Sequence, residues 1–176
     1  MSFTLHRPAL EEAEVMASLH IRCWREAYAG IVPKEALAAA NLSQRVAAWR
    51  QSLADPQRIV IAAYDGTDAV GFVVAGRSSG SLTDIADGHV AALYVLAGHQ
   101  RHGLGRRLLA SAAQAWLAQG GAMLALGVLA DNHRARAFYQ ALGGRLARTG
   151  TYNWEGHELA DAIYLFDNLA ELAAFT

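Results

Sequence analysis

The chain has 176 residues, 53% of them hydrophobic and 18% charged, with 15 basic against 16 acidic side chains and a formal net charge of -1. That length fits one domain over residues 1–176, able to bury roughly two thirds of its unfolded surface. The composition excludes a disordered chain, and the balanced charge argues against nucleic acid as the main partner. Cys23 is the single cysteine, so an internal disulfide and a cysteine-based zinc site are excluded. Pro8, Glu11, Glu12 and Glu14 interrupt the start, where a secretory leader would place a basic and then an apolar run. The longest apolar run, Ala122 to Ala130, has nine residues, against roughly 20 for a membrane helix. A cytoplasmic protein with no membrane association is expected.

Phe3 to Arg7 alternates apolar and polar positions up to Pro8 and predicts a first strand. Met16, Leu19, Cys23 and Ala27 then recur at helical spacing, with Gly30 as the stop. Pro33 suits the start of a short helix reaching about Ala40, and Ser43 is the expected cap of a third helix ending near Leu53. Arg58 to Tyr64 and Ala69 to Gly76 are apolar runs joined by Asp65-Gly66-Thr67-Asp68, a hairpin signal. After a polar loop, His89 to Leu96 predicts another strand, and a helix follows from Leu104 to about Gln119. Its stripe is Leu104, Leu108, Ala112 and Trp116, widened by Leu109 and Leu117. Met123 to Leu129 is a continuous apolar strand. A last helix starts at Asp131 or Asn132 and ends at Gly143-Gly144. Strands near Arg145 to Tyr152 and Leu159 to Phe166 close the chain around Glu155-Gly156. The succession predicts an α/β domain with a mixed, mainly antiparallel sheet.

Chemistry concentrates where the strand Leu93-Tyr94-Val95 runs into Gln100-Arg101-His102-Gly103-Leu104-Gly105-Arg106 and the long helix. Glycines let the backbone approach a ligand, the first helical amides have no partner within the helix, and the helix dipole with Arg101, Arg106 and Arg107 favours an anion. A phosphorylated ligand is expected there. The dinucleotide fingerprint fails, because Leu108 stands where its third glycine belongs, and no Gly-Lys-Ser/Thr follows for a Walker loop. Asn132 and Tyr139 lie seven residues apart, so about two turns bring both to one side of the last helix.

Gln100 to Gly105 resembles the Gln/Arg-x-x-Gly-x-Gly/Ala signature of Gcn5-related N-acetyltransferases (GNAT), and Asn132 to Gly144 resembles that family's Asn-x-x-Ala-x-x-Phe-Tyr helix ending in Leu-Gly. With the strand before the loop and the final strand pair, the resemblance covers most of residues 58–166. It implies a mixed, mainly antiparallel sheet of six to seven strands, flanked by helices and splayed between strands 4 and 5. It also implies acetyl-CoA as co-substrate and direct transfer of the acetyl group to a primary amine of a small molecule or peptide. Leu93, Tyr94 and Val95 would meet the pantetheine arm; Gln100, Arg101, His102, Gly103, Leu104, Gly105 and Arg106 the pyrophosphate; Asn132, Ala135 and Phe138 the rest of the cofactor. Tyr139 would be the general acid.

Many relatives carry a glutamate on the fourth strand where this chain has His89, which is therefore the candidate base. Trp24, Tyr28 and Trp154 would enclose the acceptor, with Glu26, Asp84, Asp87 and Glu155 available to attract a cation. His99, His102 and His133 lack an accompanying carboxylate motif, so no metal is expected. Cys23 is a poor nucleophile candidate. Such proteins are often homodimers, though no interface is marked here. A coenzyme A binding module without catalysis and a protein N-terminal acetyltransferase are the alternative readings.

Overall fold

Helices and strands succeed one another so that the chain builds a single seven-stranded sheet in the order β1-β2-β3-β4-β5-β7-β6. The computed structural model describes residues 3–38, 40–154 and 156–175. The strands are β1 (Phe3–His6), β2 (Ile59–Asp65), β3 (Asp68–Arg77), β4 (Gly88–Val95), β5 (Leu124–Leu129), β6 (Arg145–Trp154) and β7 (His157–Phe166). The helices are α1 (Ala13–Tyr28), α2 (Lys34–Ala38), α3 (Leu42–Ala54), α4 (Leu104–Ala118), α5 (His133–Ala141) and α6 (Leu169–Ala173). Among the described residues only β4 and β5 pair in parallel; every other pair is antiparallel.

The β4–β5 pairing is short. Gly88 faces Leu124 and His89 faces Ala125, after which the two strands part. Val90–Val95 stays bonded to β3, while Leu126–Leu129 stays bonded to β7. A bulge contributes: Val74 faces Ala92 and Ala75 faces Val90, leaving Ala91 as the extra residue that turns β4 away.

The vertex of this V is built around Trp116. A side chain on Gly88 or Gly121 would collide with its indole, whose Nε1 donates to the Met123 carbonyl at 3.1 Å. Asp87 accepts the amides of Ala122 and Met123, each at 2.8 Å. Burial alone would raise this carboxyl, but those hydrogen bonds and the Trp116 indole outweigh it and hold Asp87 below the usual carboxylate range.

The α4 stripe is buried as its spacing predicts, with Leu104, Leu108, Leu109, Ala112 and Trp116 all in the core. Leu117 is not; at 38% exposure it has rotated off the packed face. α3 is capped by Asn41 rather than Ser43, since the Asn41 Oδ1 accepts the Gln44 amide at 3.1 Å and Ser43 lies inside the first turn. The final strands run further toward each other than their alternation predicts, to Trp154 and from His157. Glu155, expected in the connecting turn, lies outside the described residues. α6, which carried too few residues for a periodic signal, buries Leu169 and Leu172.

Candidate active site

The parting of β4 from β5 opens a cleft of about 1270 Å³. Of the residues expected at the site, Tyr139, His89, Leu93, Tyr94, Val95, Gln100, Arg101, Gly103, Leu104, Gly105, Arg106, Asn132, Ala135, Phe138, Trp24, Tyr28 and Trp154 all line it. His102 does not line it; its ring packs 6.3 Å from that of Phe3.

One end of the cleft is an anion cradle. Gly103 is the N-cap of α4 with φ of 79°, and no side chain caps the helix, so its first amides remain available. An added Cβ on Gly103 would meet nothing closer than Arg106 Nη2 at 3.9 Å, so its requirement is conformational. Arg101 holds φ of 69° without being glycine, a strain on the order of 1 kcal/mol at the turn that leads into α4. The Gln100 side chain does not reach outward. Its Nε2 donates to the Val95 carbonyl at 2.7 Å and ties the loop to the end of β4. Gly105 is small for packing, since a Cβ there would lie 3.2 Å from the Phe138 ring of α5.

The walls are set by β4 and α5. Leu93, Tyr94 and Val95 pair with Val73, Phe72 and Gly71 of β3 and have no partner on the β5 side, so alternate backbone groups face the gap. Asn132 caps α5 by accepting the Ala135 amide at 3.1 Å. Two turns on, Tyr139 is buried against Phe138, with ring centroids 5.2 Å apart. Burial, with a smaller contribution from the nearby Tyr28 phenol, pushes the Tyr139 hydroxyl well above its ordinary range, so it keeps its proton at neutral pH.

His89 stands at the vertex. Its Nδ1 lies 3.0 Å from the Arg77 carbonyl, which can only accept, so Nδ1 carries the proton and the neutral ring leaves a lone pair on Nε2. Burial lowers its pKa from 6.5, opposed by this hydrogen bond and assisted by Arg58.

The other end is aromatic. His20, Trp24 and Tyr28 recur every four residues on α1 and share the face that lines the cleft. Trp24 stacks on Trp154 with centroids 4.5 Å apart, Tyr28 meets Trp154 edge-on at 4.9 Å, and the Tyr28 hydroxyl lies 2.9 Å from that of Tyr94. Burial raises both of these phenols, so neither carries charge at neutral pH. His20 packs among Phe72, Tyr94 and Trp49, and burial, with Arg45 adding to it, lowers its pKa to about 3. The spacing of 20, 24 and 28 was visible in the sequence, but His20, Arg45 and Asp161 escaped notice because no motif marks them.

Three expected acidic attractors are used elsewhere. Glu26 accepts the Ala97 amide at 2.8 Å, Asp84 pairs with Arg148 at 3.1 Å, and Asp87 holds the vertex. The fourth, Glu155, is outside the described residues. Cys23 is buried and its thiol is pushed up to about 12, which removes it as a nucleophile. No group of three His, Cys, Asp or Glu among the described residues is placed to hold a metal ion.

Comparison with known proteins agrees with this geometry. Residues 14–144 match the acetyltransferase (GNAT) family model. An uncharacterized N-acetyltransferase of Bacillus subtilis, YuaI, is 29% identical over 141 residues, covering 78% of each chain. The PaiA N-acetyltransferase of Thermoplasma acidophilum, solved with coenzyme A, shares the fold with a TM-score of 0.74 at 17% identity, covering 92% of this chain and 98% of its own. An acetyltransferase of Salmonella typhimurium, solved with acetyl-CoA, shares it with a TM-score of 0.71 at 16% identity, over 95% of this chain and 94% of its own. The match to the family model spans most of the chain, and the chain belongs to the acetyltransferase (GNAT) family, enzymes that transfer an acetyl group from acetyl-CoA to an amine.

Proposed function

We propose that the protein moves the acetyl group of acetyl-CoA directly to a primary amine of a small molecule or peptide. The observation that carries this is the continuity of one cleft. The uncapped amides of α4, the unpaired edge of β4 and the protonated Tyr139 all border it. The wall suits coenzyme A: Gly103 leaves open space at the cradle, Arg101 and Arg106 bring charge to it, and the β4 edge offers hydrogen bonds to the amides of the pantetheine arm.

In this reading the amine attacks the thioester carbonyl, whose oxygen gains negative charge beside the free amides of β4. The carbon–sulfur bond breaks, and Tyr139 gives its proton to the departing thiolate. A raised phenol pKa is compatible with that role, because the same dry wall disfavours the thiolate as well. His89, neutral and with Nε2 free, takes the proton that the amine loses, directly or through water. The single, buried Cys23 fits a reducing, cytoplasmic setting.

Thiol release from acetyl-CoA, followed across amino acids, polyamines, aminoglycosides and short peptides, tests the proposal. Stimulation by one class of amine is the expected result. Tyr139→Phe should lower kcat by about 100-fold or more while cofactor affinity stays within roughly threefold. Cofactor binding without release for any amine would instead identify a binding module.

A further inference from the structure

Arg45 sits on α3 and lines the aromatic end of the cleft. Its guanidinium carbon lies 5.7 Å from the centre of the Trp24 ring. Its charge is felt by His20 on α1 and Tyr94 on β4. Among the described residues its guanidinium has no carboxylate and no carbonyl acceptor. Five other arginines have acceptors within the chain, Arg107 and Arg148 among them, whereas Arg22, Arg25 and Arg50 have none among the described residues and lie exposed to water. Arg7 bonds four backbone carbonyls, Arg136 bonds Tyr164 and Ala130, and Arg145 pairs with Asp167.

Resting on the acetyl-transfer reading, we infer that Arg45 selects the acceptor and that the acceptor is a small amine carrying a carboxylate, as an amino acid does. The cation–π contact with Trp24 holds the guanidinium, whose N–H groups, without an acceptor among the described residues, suit two parallel bonds to a carboxylate. No neighbour competes. His20 is neutral, and Tyr28 and Tyr94 keep their protons. The charge of the wall points the same way. Its arginines are Arg45, Arg101, Arg106 and Arg134, and its one carboxylate among the described residues is Asp161. Arg101 and Arg106 belong to the loop and first turn of α4 at the cofactor cradle and Arg134 to the first turn of α5, which leaves Arg45 as the arginine of the aromatic end. A polycationic amine would meet repulsion from this wall, whereas a zwitterion presents one negative group to Arg45 and one amine to the thioester.

The test compares L-amino acids with their own amides and decarboxylated amines, and with a polyamine, as acceptors for thiol release. The unmodified protein should favour the acid over its amide by about 10- to 100-fold in kcat/KM, expressed mainly in KM. Arg45→Gln should bring that ratio close to one, and Arg45→Lys should restore part of it. Equal or better use of the amide, the decarboxylated amine or the polyamine by the unmodified protein overturns the inference and leaves acetyl transfer standing. A preference that survives in Arg45→Gln also overturns it. If no amine releases thiol, the acetyl-transfer reading fails instead, and calorimetric binding of the amino acids to the protein–coenzyme A complex decides the role of Arg45. Binding lost in Arg45→Gln upholds it, and absent or unaltered binding overturns it.

Discussion

At the scale of single residues, environment separates groups that look alike in the sequence. His20 and His89 both line the cleft. The first is neutral because apolar rings and Arg45 surround it, and the second because burial outweighs its bond to Arg77. Only His89 has one ring nitrogen engaged by a backbone carbonyl and the other left as a base. Its lowered pKa sets the sign of a pH effect, since the basic form persists below 6.5 and is lost only as acid protonates it. The acid limb of the kcat profile should therefore bend below pH 6.5, and His89→Gln should lower kcat and remove that limb. A profile of unchanged shape in the variant would assign the limb to another group. Asn132 teaches a related lesson, because its carbonyl oxygen already serves as the α5 cap, leaving its amide nitrogen and one further lone pair for a ligand.

At the scale of elements, the cleft exists because two strands that begin in register do not stay together. Trp116, reaching from α4 over Gly88 and Gly121, and Asp87, holding the start of β5, pin the shared end. The Ala91 bulge turns the other end away. Gly88→Ala would drive a methyl into the Trp116 indole and should cost about 1–3 kcal/mol in chemical denaturation. Because the vertex also positions His89, activity at permissive temperature should fall with it. The α4 stripe and the β5 run were legible in the sequence, since each follows one period and buries one face or both. The parting of β4 from β5 was implied by the family resemblance and not by the residue pattern, because Val90–Val95 reads as an equally good strand whether or not β5 lies beside it.

At the scale of the whole molecule, a nearly neutral protein presents a locally positive cleft. Charge totals hide this, because every acidic side chain of the described residues except Asp161 lies outside the wall, several of them spent on amides or arginines there. A ligand that bridges the loop before α4, the edge of β4 and the start of α5 should stabilise the fold as one unit. Coenzyme A at 100 times its Kd should add about 2.7 kcal/mol and raise the melting temperature by several degrees. Gly103→Val, strained at φ of 79°, should abolish most of that shift in differential scanning fluorimetry. A full shift in the variant would move the pyrophosphate away from this loop.

The order of elements, the glycine turn before α4 and the Asn132–Tyr139 pair are local patterns, and the sequence by itself determined them together with the family they resemble. The acceptor end is different. It gathers His20 and Trp24 from α1, Arg45 from α3, Tyr94 from β4 and Trp154 from β6, elements far apart in the chain with no fixed spacing between them. Only the tertiary structure could show that Arg45 stands unpaired over Trp24, or that Glu26 and Asp87 are already occupied, because burial and charge at a site are set by whatever the fold packs around it.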